Sequence, residues 1–276
     1  MCASRKTGRK VITVIPLENR YAQISYLAKV AADCNHQTAV LYRDNECVLP
    51  LVDLLEERDI PYNIRTADLT FFSHSTVQGV LDLIHLAYDP RDTEAFLRIY
   101  YKLGTYMDKQ SAQRIAGKVN RSGLTIEKAI ARDEYISFHV KKKWRAVWTV
   151  LKETVRKDGY SAVTDLIYFS GYQEYLEQTQ KKTDKLIILK NLARRKKNLR
   201  EAEERLSVLK EILSAREPVP DCRFTLSTIH SSKGLEYDEV YLLDAHDGIL
   251  PGCPIPGKKA SQEEREAYEE EWPRAF

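Results

Sequence analysis

Residues 224–243 read Phe-Thr-Leu-Ser-Thr-Ile-His-Ser-Ser-Lys-Gly-Leu-Glu-Tyr-Asp-Glu-Val-Tyr-Leu-Leu. A β-rich run opens this stretch, a polar loop follows, and a second β-rich run resumes at Val240. Two apolar runs around a short polar segment that contains a glycine predict a strand, a loop and a strand. Gly234 lets the loop backbone approach a ligand, and the loop presents an imidazole, two hydroxyls and an ammonium. On residue types alone, an anion site and a polar surface turn are both open.

The N-terminal part of the chain alternates between strand and helix patterns. Residues 11–15, 38–42 and 61–65 have strand character, whereas residues 18–32 and 48–57 space their apolar side chains as amphipathic helices do. Strands and helices that alternate with such short connections are typical of parallel βαβ units. The sequence therefore predicts the start of an α/β sheet.

From residue 71 to 214 the pattern is helical, with little strand character. Prolines at 218 and 220 end this block, and a strand pattern resumes at Arg223. Asp92 follows a turn and is a candidate helix N-cap. Helices are predicted over residues 74–88, 93–101, 138–155, 162–169 and 186–213, the last with a break that the pattern does not locate. We predict a parallel sheet interrupted by a mostly α-helical insertion, with residues before 71 and after 221 in one sheet.

Composition places the chain among globular proteins. It has 276 residues, of which 43% are hydrophobic and 30% are charged. No apolar run approaches the ~20 residues that span a bilayer, and no signal-peptide pattern follows the basic start. The five cysteines are scattered and contain no C-x-x-C spacing. This pattern argues against a zinc site and a disulfide framework, and it favours a reducing, cytoplasmic location.

Positive charge is concentrated in the helical block. The net charge is only +3, but residues 141–217 contain 19 Lys and Arg against 11 Asp and Glu. Two basic runs, at residues 141–145 and 194–197, have the charge needed to contact duplex phosphates. Helix faces that are simply solvated produce the same pattern, so both interpretations stay open.

Residues 228–237, Thr-Ile-His-Ser-Ser-Lys-Gly-Leu-Glu-Tyr, closely resemble the T-x-H-x-x-K-G-L-E-[FY] motif of the UvrD/Rep/PcrA group of superfamily I DNA helicases. Residues 39–45 resemble the A-[VI]-L-Y-R-x-N segment of the same family, and residues 171–176 resemble a [ST]-G-Y-x-x-x-L segment. In that family a second RecA-like domain (2A) carries a mostly helical insertion (2B). The resemblance implies that residues 1–70 and 222–276 form 2A and that residues 71–221 form 2B.

The resemblance also implies an activity and roles for individual residues. The full-length protein is expected to be an ATP-dependent helicase that uses Mg²⁺ and moves 3′ to 5′ on single-stranded DNA, with junctions of single and double strands as further partners. Gly234 and Glu236 are expected at the ATP cleft. The expected DNA contacts are Arg43, Asn45, Thr228, His230, Ser231, Ser232 and Lys233. No catalytic residue or metal ligand is assigned within this chain.

The family's phosphate-binding loop and Asp-Glu magnesium motif belong to its first RecA-like domain, and no part of this sequence supplies them. We therefore expect a C-terminal fragment that is inactive alone, binds no ATP or Mg²⁺ by itself and partners the missing domain. Residues 252–259 nearly spell a Walker A loop, but Lys259 replaces the required hydroxyl and two prolines remove backbone donors. Residues 269–276 depart from the family's C-terminal motif, so the arginine finger is expected beyond residue 276.

Other readings stay open at this point. His230 could equally be a buried core histidine or a general base. Glu236 has the alternative of a solvated loop acid, and Arg43 that of a partner in a structural ion pair. A non-catalytic nucleic-acid- or protein-binding module that kept the fold would carry the same residues. So would a portion of an AddA- or RecB-type helicase-nuclease.

Overall fold

The computed structural model describes residues 13–181 and 183–245, and these contain one four-stranded sheet. Its strands are β1 (Thr38–Tyr42), β2 (Asn63–Ile64), β3 (Phe224–Thr228) and β4 (Glu239–Leu242). All pairings are parallel, in the order β2-β3-β1-β4. Because β1 pairs with both β3 and β4, the segments on either side of the helical block belong to a single sheet. This confirms the predicted α/β class and the interrupted sheet.

Helices fill the rest of the described chain. Two belong to the N-terminal segment: α1 (Arg20–Ala32) and α2 (Leu49–Glu57), the latter preceded by the 3-10 turn Asn45–Val48. The remaining helices are α3 (Thr70–Ser73), α4 (Ser75–Tyr88), α5 (Thr93–Ile99), α6 (Lys109–Ser122), α7 (Ile126–Ala131), α8 (Phe138–Thr154), α9 (Gly159–Phe169), α10 (Tyr172–Gln178), α11 (Asp184–Ala193) and α12 (Leu199–Ser214), with a second 3-10 turn at Tyr100–Lys102.

Polar side chains at the N-termini start several of these helices. Asp92 accepts a hydrogen bond from the Ala95 amide, as its sequence position predicts. The break that the pattern did not locate lies between α11 and α12. There Asn198 accepts from the Glu201 amide, and the Glu201 carboxylate accepts from the Lys197 amide. These bonds form a variant of the capping box, in which the Glu201 carboxylate binds the amide one residue before the N-cap, and they start a new helix.

One apolar core extends from the sheet into the helical block. Val40 and Leu226, on the two central strands, are fully buried, and Trp144 and Trp148 of α8 belong to the same cluster. Burying a large apolar side chain contributes about 1.5–3 kcal/mol, so this core supplies much of the driving force that fixes the insertion.

The predicted strand at residues 11–15 is wrong for the residues that the structure describes. Thr13, Val14 and Ile15 lie in no strand, and 85% of the Val14 surface is exposed. β-Branched residues favour strands because they fit a pleated, half-buried surface. Here the segment has no sheet face to cover. Val11 and Ile12 lie outside the described residues.

Candidate nucleic-acid and nucleotide site

The carboxyl ends of three neighbouring strands meet at one edge of the sheet. Tyr42 of β1 lies in register with Thr228 of β3, and the Ile229 amide donates to the Tyr42 carbonyl at 3.0 Å. On the other side of β3, the Arg65 amide donates to the Leu226 carbonyl at 3.0 Å. In open α/β sheets ligands bind outside the carboxyl ends of the strands. The segments that follow β1, β2 and β3 therefore form the candidate site.

The turn after β3 is fixed by its own hydroxyl groups. Thr228 Oγ1 accepts from the Ser231 amide at 3.1 Å and donates to Ser231 Oγ at 2.8 Å. Ser232 donates through its amide to the Thr228 carbonyl at 3.1 Å, and through its hydroxyl to the Ile229 carbonyl at 2.8 Å. Thr228 and Ser232 thus shape the turn, whereas the exposed His230 side chain points away from this bonding.

The structure adds Thr66 to the site, a residue that sequence reasoning missed. Its hydroxyl lies 3.2 Å from Ser231 Oγ and ties the segment after β2 to the turn after β3. The sequence did contain a signal for Thr66. Residues 61–65 were predicted to form a strand, and the residue that follows a parallel strand lies at the carboxyl edge of the sheet.

Arg43 and Asn45 leave the sheet beside this turn. Arg43 is exposed, and Asn45 starts the 3-10 turn that leads to α2. The Asn45 Oδ1 atom is buried and accepts no hydrogen bond within the described residues. Nearby, the pKa of Asp68 is lowered, first by the Thr70 amide and to a smaller extent by a hydrogen bond from Asn45. Asn45 therefore has a structural donor role, and its buried acceptor atom is left unsatisfied within the described residues.

The two residues expected at the ATP cleft lie further along the loop. Gly234 has φ = +80° and open space where a Cβ would stand. Glycine is therefore favoured there by the conformation of the backbone and not by close packing. The Asp238 amide donates to the Gln37 carbonyl at 2.8 Å, at the amino end of β1. Glu236, two residues earlier, is exposed and lies on the way to that opposite edge. The loop that carries Glu236 thus runs from the carboxyl edge, where the turn after β3 lies, towards the amino end of β1.

The basic run at residues 194–197 is mostly engaged within the protein. Arg195 pairs with Glu57, and Lys196 pairs with Glu57 and, at 3.4 Å, with Asp53. Arg194 lies over the Tyr160 ring at 4.3 Å. Since Asp53 and Glu57 belong to α2, this run joins the helical block to the sheet segment. Lys197 is paired only loosely, with Glu201 at 4.0 Å, and 88% of its side-chain surface is accessible.

The other basic run, at residues 141–145, is divided. Trp144 is buried in the core, and Lys143 donates to the Gly104 carbonyl at 2.9 Å. Lys142 and Arg145 are exposed. The Walker-like residues 252–259 and residues 269–276 lie outside the described part of the chain.

The described residues hold neither a cluster of potential metal ligands nor a helix fit to cross a membrane. Among residues 13–181 and 183–245, no group of three or more His, Cys, Asp or Glu side chains is placed to hold a metal ion. No helix in that part of the chain has both the length and the apolar character that crossing a membrane takes.

The protein is therefore of the α/β class. A helical block interrupts its parallel sheet, and a polar turn lies at the carboxyl edge of that sheet. Residues 16–272 match the model of the UvrD-like helicase C-terminal domain, and the chain belongs to that family. This confirms the resemblance seen in residues 228–237.

Individual relatives carry helicase names. The chain is 26% identical over 292 aligned positions to the ATP-dependent DNA helicase Rep of Buchnera aphidicola subsp. Schizaphis graminum, covering 94% of this chain and 44% of the relative. It is 24% identical to Rep of Escherichia coli K12, covering 83% and 37%, and 22% identical to PcrA of Bacillus subtilis 168, covering 82% and 33%. The chain therefore spans less than half the length of these relatives.

Proposed function

We propose that this chain supplies the second RecA-like domain and its helical insertion to an ATP-dependent DNA helicase that moves 3′ to 5′ on single-stranded DNA. In this proposal residues 1–70 and 222–276 form 2A, and residues 71–221 form 2B. The names of the Rep and PcrA relatives support DNA as the substrate and ATP as the energy source. The single observation that carries the proposal is the register of Tyr42 with Thr228, because the segments that carry Arg43 and His230 then start at the same carboxyl edge.

Each residue of the proposed DNA track has a physical task. The Arg43 guanidinium and the Lys233 ammonium attract phosphates, and arginine also matches phosphate geometry with two parallel donors. His230 offers a ring to a base and a ring nitrogen to a phosphate. Thr228, Ser231 and Ser232 keep the turn in one conformation, and this lowers the entropy lost on binding. Asn45 holds the segment after β1 through its hydrogen bond to Asp68.

On the nucleotide side, Gly234 and Glu236 form one wall of a cleft whose other wall is a separate RecA-like domain. That domain supplies the phosphate-binding lysine and the Mg²⁺ ligands, which carry the charge stabilisation in phosphoryl transfer. ATP draws the two domains together, and this closure changes which of them grips the strand. The 276-residue chain alone binds DNA and does not hydrolyse ATP.

Binding of a fluorescent single-stranded oligonucleotide tests the DNA track. We expect Arg43→Ala to weaken binding and to reduce the slope of log K against log salt by about 0.7, the loss of one phosphate contact. Arg58→Ala is the matched control, because Arg58 is exposed at the end of α2 that points away from the carboxyl edge. Equal effects of the two substitutions would contradict the proposed track.

ATP hydrolysis by the whole protein that contains this chain tests the motor. We expect hydrolysis to require single-stranded DNA and to fall when His230 is replaced by alanine. Hydrolysis that ignores DNA would argue against a translocase. A protein that binds DNA but never hydrolyses ATP would indicate the non-catalytic module instead.

A further inference from the structure

The helical block carries a cleft that starts beside the proposed DNA track. Glu46, the neighbour of Asn45, forms part of its wall, and α4, α11 and the end of the α10–α11 connection complete it. The lining residues are Glu46, His74, Ser75, Lys181, Asp184 and Lys185. Since Asn45 lies at the carboxyl edge of the sheet, a strand that passes this edge has the cleft directly ahead of it.

Lys181, which lines this cleft together with Asp184, is close enough to interact with a second cation outside the lining, Lys102. Lys185 is neutralised by its ion pair with Glu46, but Lys181 is exposed and forms no ion pair with any described residue. Lys102 is 91% buried and likewise makes no ion pair in the described chain. Burial lowers the pKa of Lys102, and repulsion from Lys181 lowers it further, although Asp82 opposes both. Two ammonium groups close enough to repel one another are complementary to a bound anion.

Two tyrosines lie between these ammonium groups. The rings of Tyr101 and Tyr175 meet edge to face, with centroids 5.9 Å apart. Lys181 Nζ lies 5.5 Å from the Tyr175 centroid, and Lys102 Nζ lies 5.5 Å from the Tyr101 centroid. Despite these contacts, 53% of the Tyr101 surface is exposed. The order is therefore cation, ring, ring, cation, with Lys102 buried and the Tyr101 ring open to solvent.

We propose that Lys181, Tyr175, Tyr101 and Lys102, here called the tyrosine cleft, bind unpaired nucleotides of the strand that leaves the sheet edge at Asn45. A base stacks on the exposed Tyr101 ring and a backbone phosphate lies near Lys181, while the buried Lys102 adds to the positive charge there. Alternating rings and cations suit single-stranded nucleic acid, because every base has a π-face and every nucleotide carries one negative charge. An anionic peptide would use the cations but leave the exposed ring without a partner. The continuous path rests on the proposed function of the sheet edge, although the tyrosine cleft is tested separately.

The test is binding of two labelled strands of equal length to the 276-residue chain. One strand carries bases, and the other is abasic and so presents only sugars and phosphates. The Tyr101→Leu variant loses one stacked base. Its binding of the base-bearing strand should therefore be weaker than that of the wild type, between about 5-fold and about 150-fold. The abasic strand should bind this variant and the wild type equally. Tyr101→Phe keeps the ring and should restore binding.

Lys181→Gln should act on both strands, because it removes a charge. Its expected signature is a decrease of about 0.7 in the slope of log K against log salt. Tyr168→Leu and Lys190→Gln are matched controls, because Lys190 Nζ lies 5.0 Å over the Tyr168 ring away from the tyrosine cleft. Neither control should change binding. Circular dichroism melting curves show whether each variant is folded.

The outcomes separate this site from the sheet edge. If Tyr101→Leu binds the base-bearing strand as tightly as wild type, or weakens the abasic strand equally, the tyrosine cleft is overturned as a stacking site. If Arg43→Ala weakens binding and the cleft variants do not, the sheet edge stands alone. If only the cleft variants weaken binding, the tyrosine cleft stands and the proposed track at the sheet edge fails.

Discussion

Replacing Asp53 with asparagine tests how the helical block is joined to the sheet segment. Asp53 lies on α2 with 5% of its side chain exposed, and it accepts from Arg205 Nε at 2.5 Å and from Lys196 Nζ at 3.4 Å. Both cations belong to the helical block. Asparagine keeps the shape of the side chain and removes its charge, so the substitution isolates the electrostatic part of this contact.

The structure sets the size of the effect. Removing one partner of a buried ion pair typically costs about 3–5 kcal/mol, because the remaining charge stays out of water without compensation. Only 8% of the Lys196 side chain is exposed, and burial already lowers the pKa of Lys196. Glu57 still pairs with Lys196, and 20% of Arg205 is exposed. We therefore expect the lower end of that range, about 3 kcal/mol, a large fraction of a typical folding stability.

Urea unfolding followed by circular dichroism measures this loss. The matched control is Lys197→Gln, which removes the next charge along the chain. Because 88% of the Lys197 side chain is exposed and its pair with Glu201 is 4.0 Å long, we expect a change of less than about 0.5 kcal/mol. In the double variant Asp53→Asn with Lys196→Met, the losses should not add fully, since one of the two cations that Asp53 compensates is gone. An Asp53→Asn loss no larger than that of the control would refute the reasoning.

Three further predictions use other contacts. Lys102→Met should raise the free energy of unfolding near neutral pH while weakening DNA binding. The free energy of unfolding of the wild type should rise with pH between the lowered pKa of Lys102 in the folded chain and its ordinary pKa of 10.5. In this range Lys102 holds a proton in the unfolded chain and has lost it in the folded chain. The variant should not show this rise in stability. Gly79→Ala should destabilise the chain by about 1–3 kcal/mol in thermal melting, despite the helix preference of alanine, because the new Cβ would stand 2.2 Å from the Tyr172 hydroxyl; no loss would mean that Tyr172 moves freely. Thr228→Val should weaken single-stranded DNA binding with little effect on the melting temperature, because it removes both bonds to Ser231 and loosens the turn; unchanged anisotropy titrations would contradict this.

Much of the local structure was readable from the sequence. The strands at Thr38–Tyr42 and Phe224–Thr228 were predicted because compact apolar, β-branched runs between polar segments have few alternatives. The helical block was predicted because its apolar spacing persists over many turns. The break before α12 was also encoded, as Asn198 with Glu201 three residues later, but this capping box was not recognised.

Other features needed the tertiary structure. Residues 11–15 carry the same β-branched signal as β1, yet residues 13–15 form no strand, because strand formation depends on a partner that local sequence does not name. The order β2-β3-β1-β4 joins strands far apart in the chain, and only this order brings Thr66, Arg43 and the turn after Thr228 to one edge.

By itself, then, the sequence determined most of the strands and helices and the family they belong to, because propensity, periodicity and a gap-free motif are local properties. The fate of its charges was decided only in three dimensions. The run at residues 194–197 and Lys181 have similar compositions around them, but Arg195 and Lys196 are paired with α2, whereas Lys181 meets a tyrosine and no acid among the described residues. Whether a cation is neutralised or left to attract a ligand depends on what the fold places opposite it, and no one-dimensional pattern contains that.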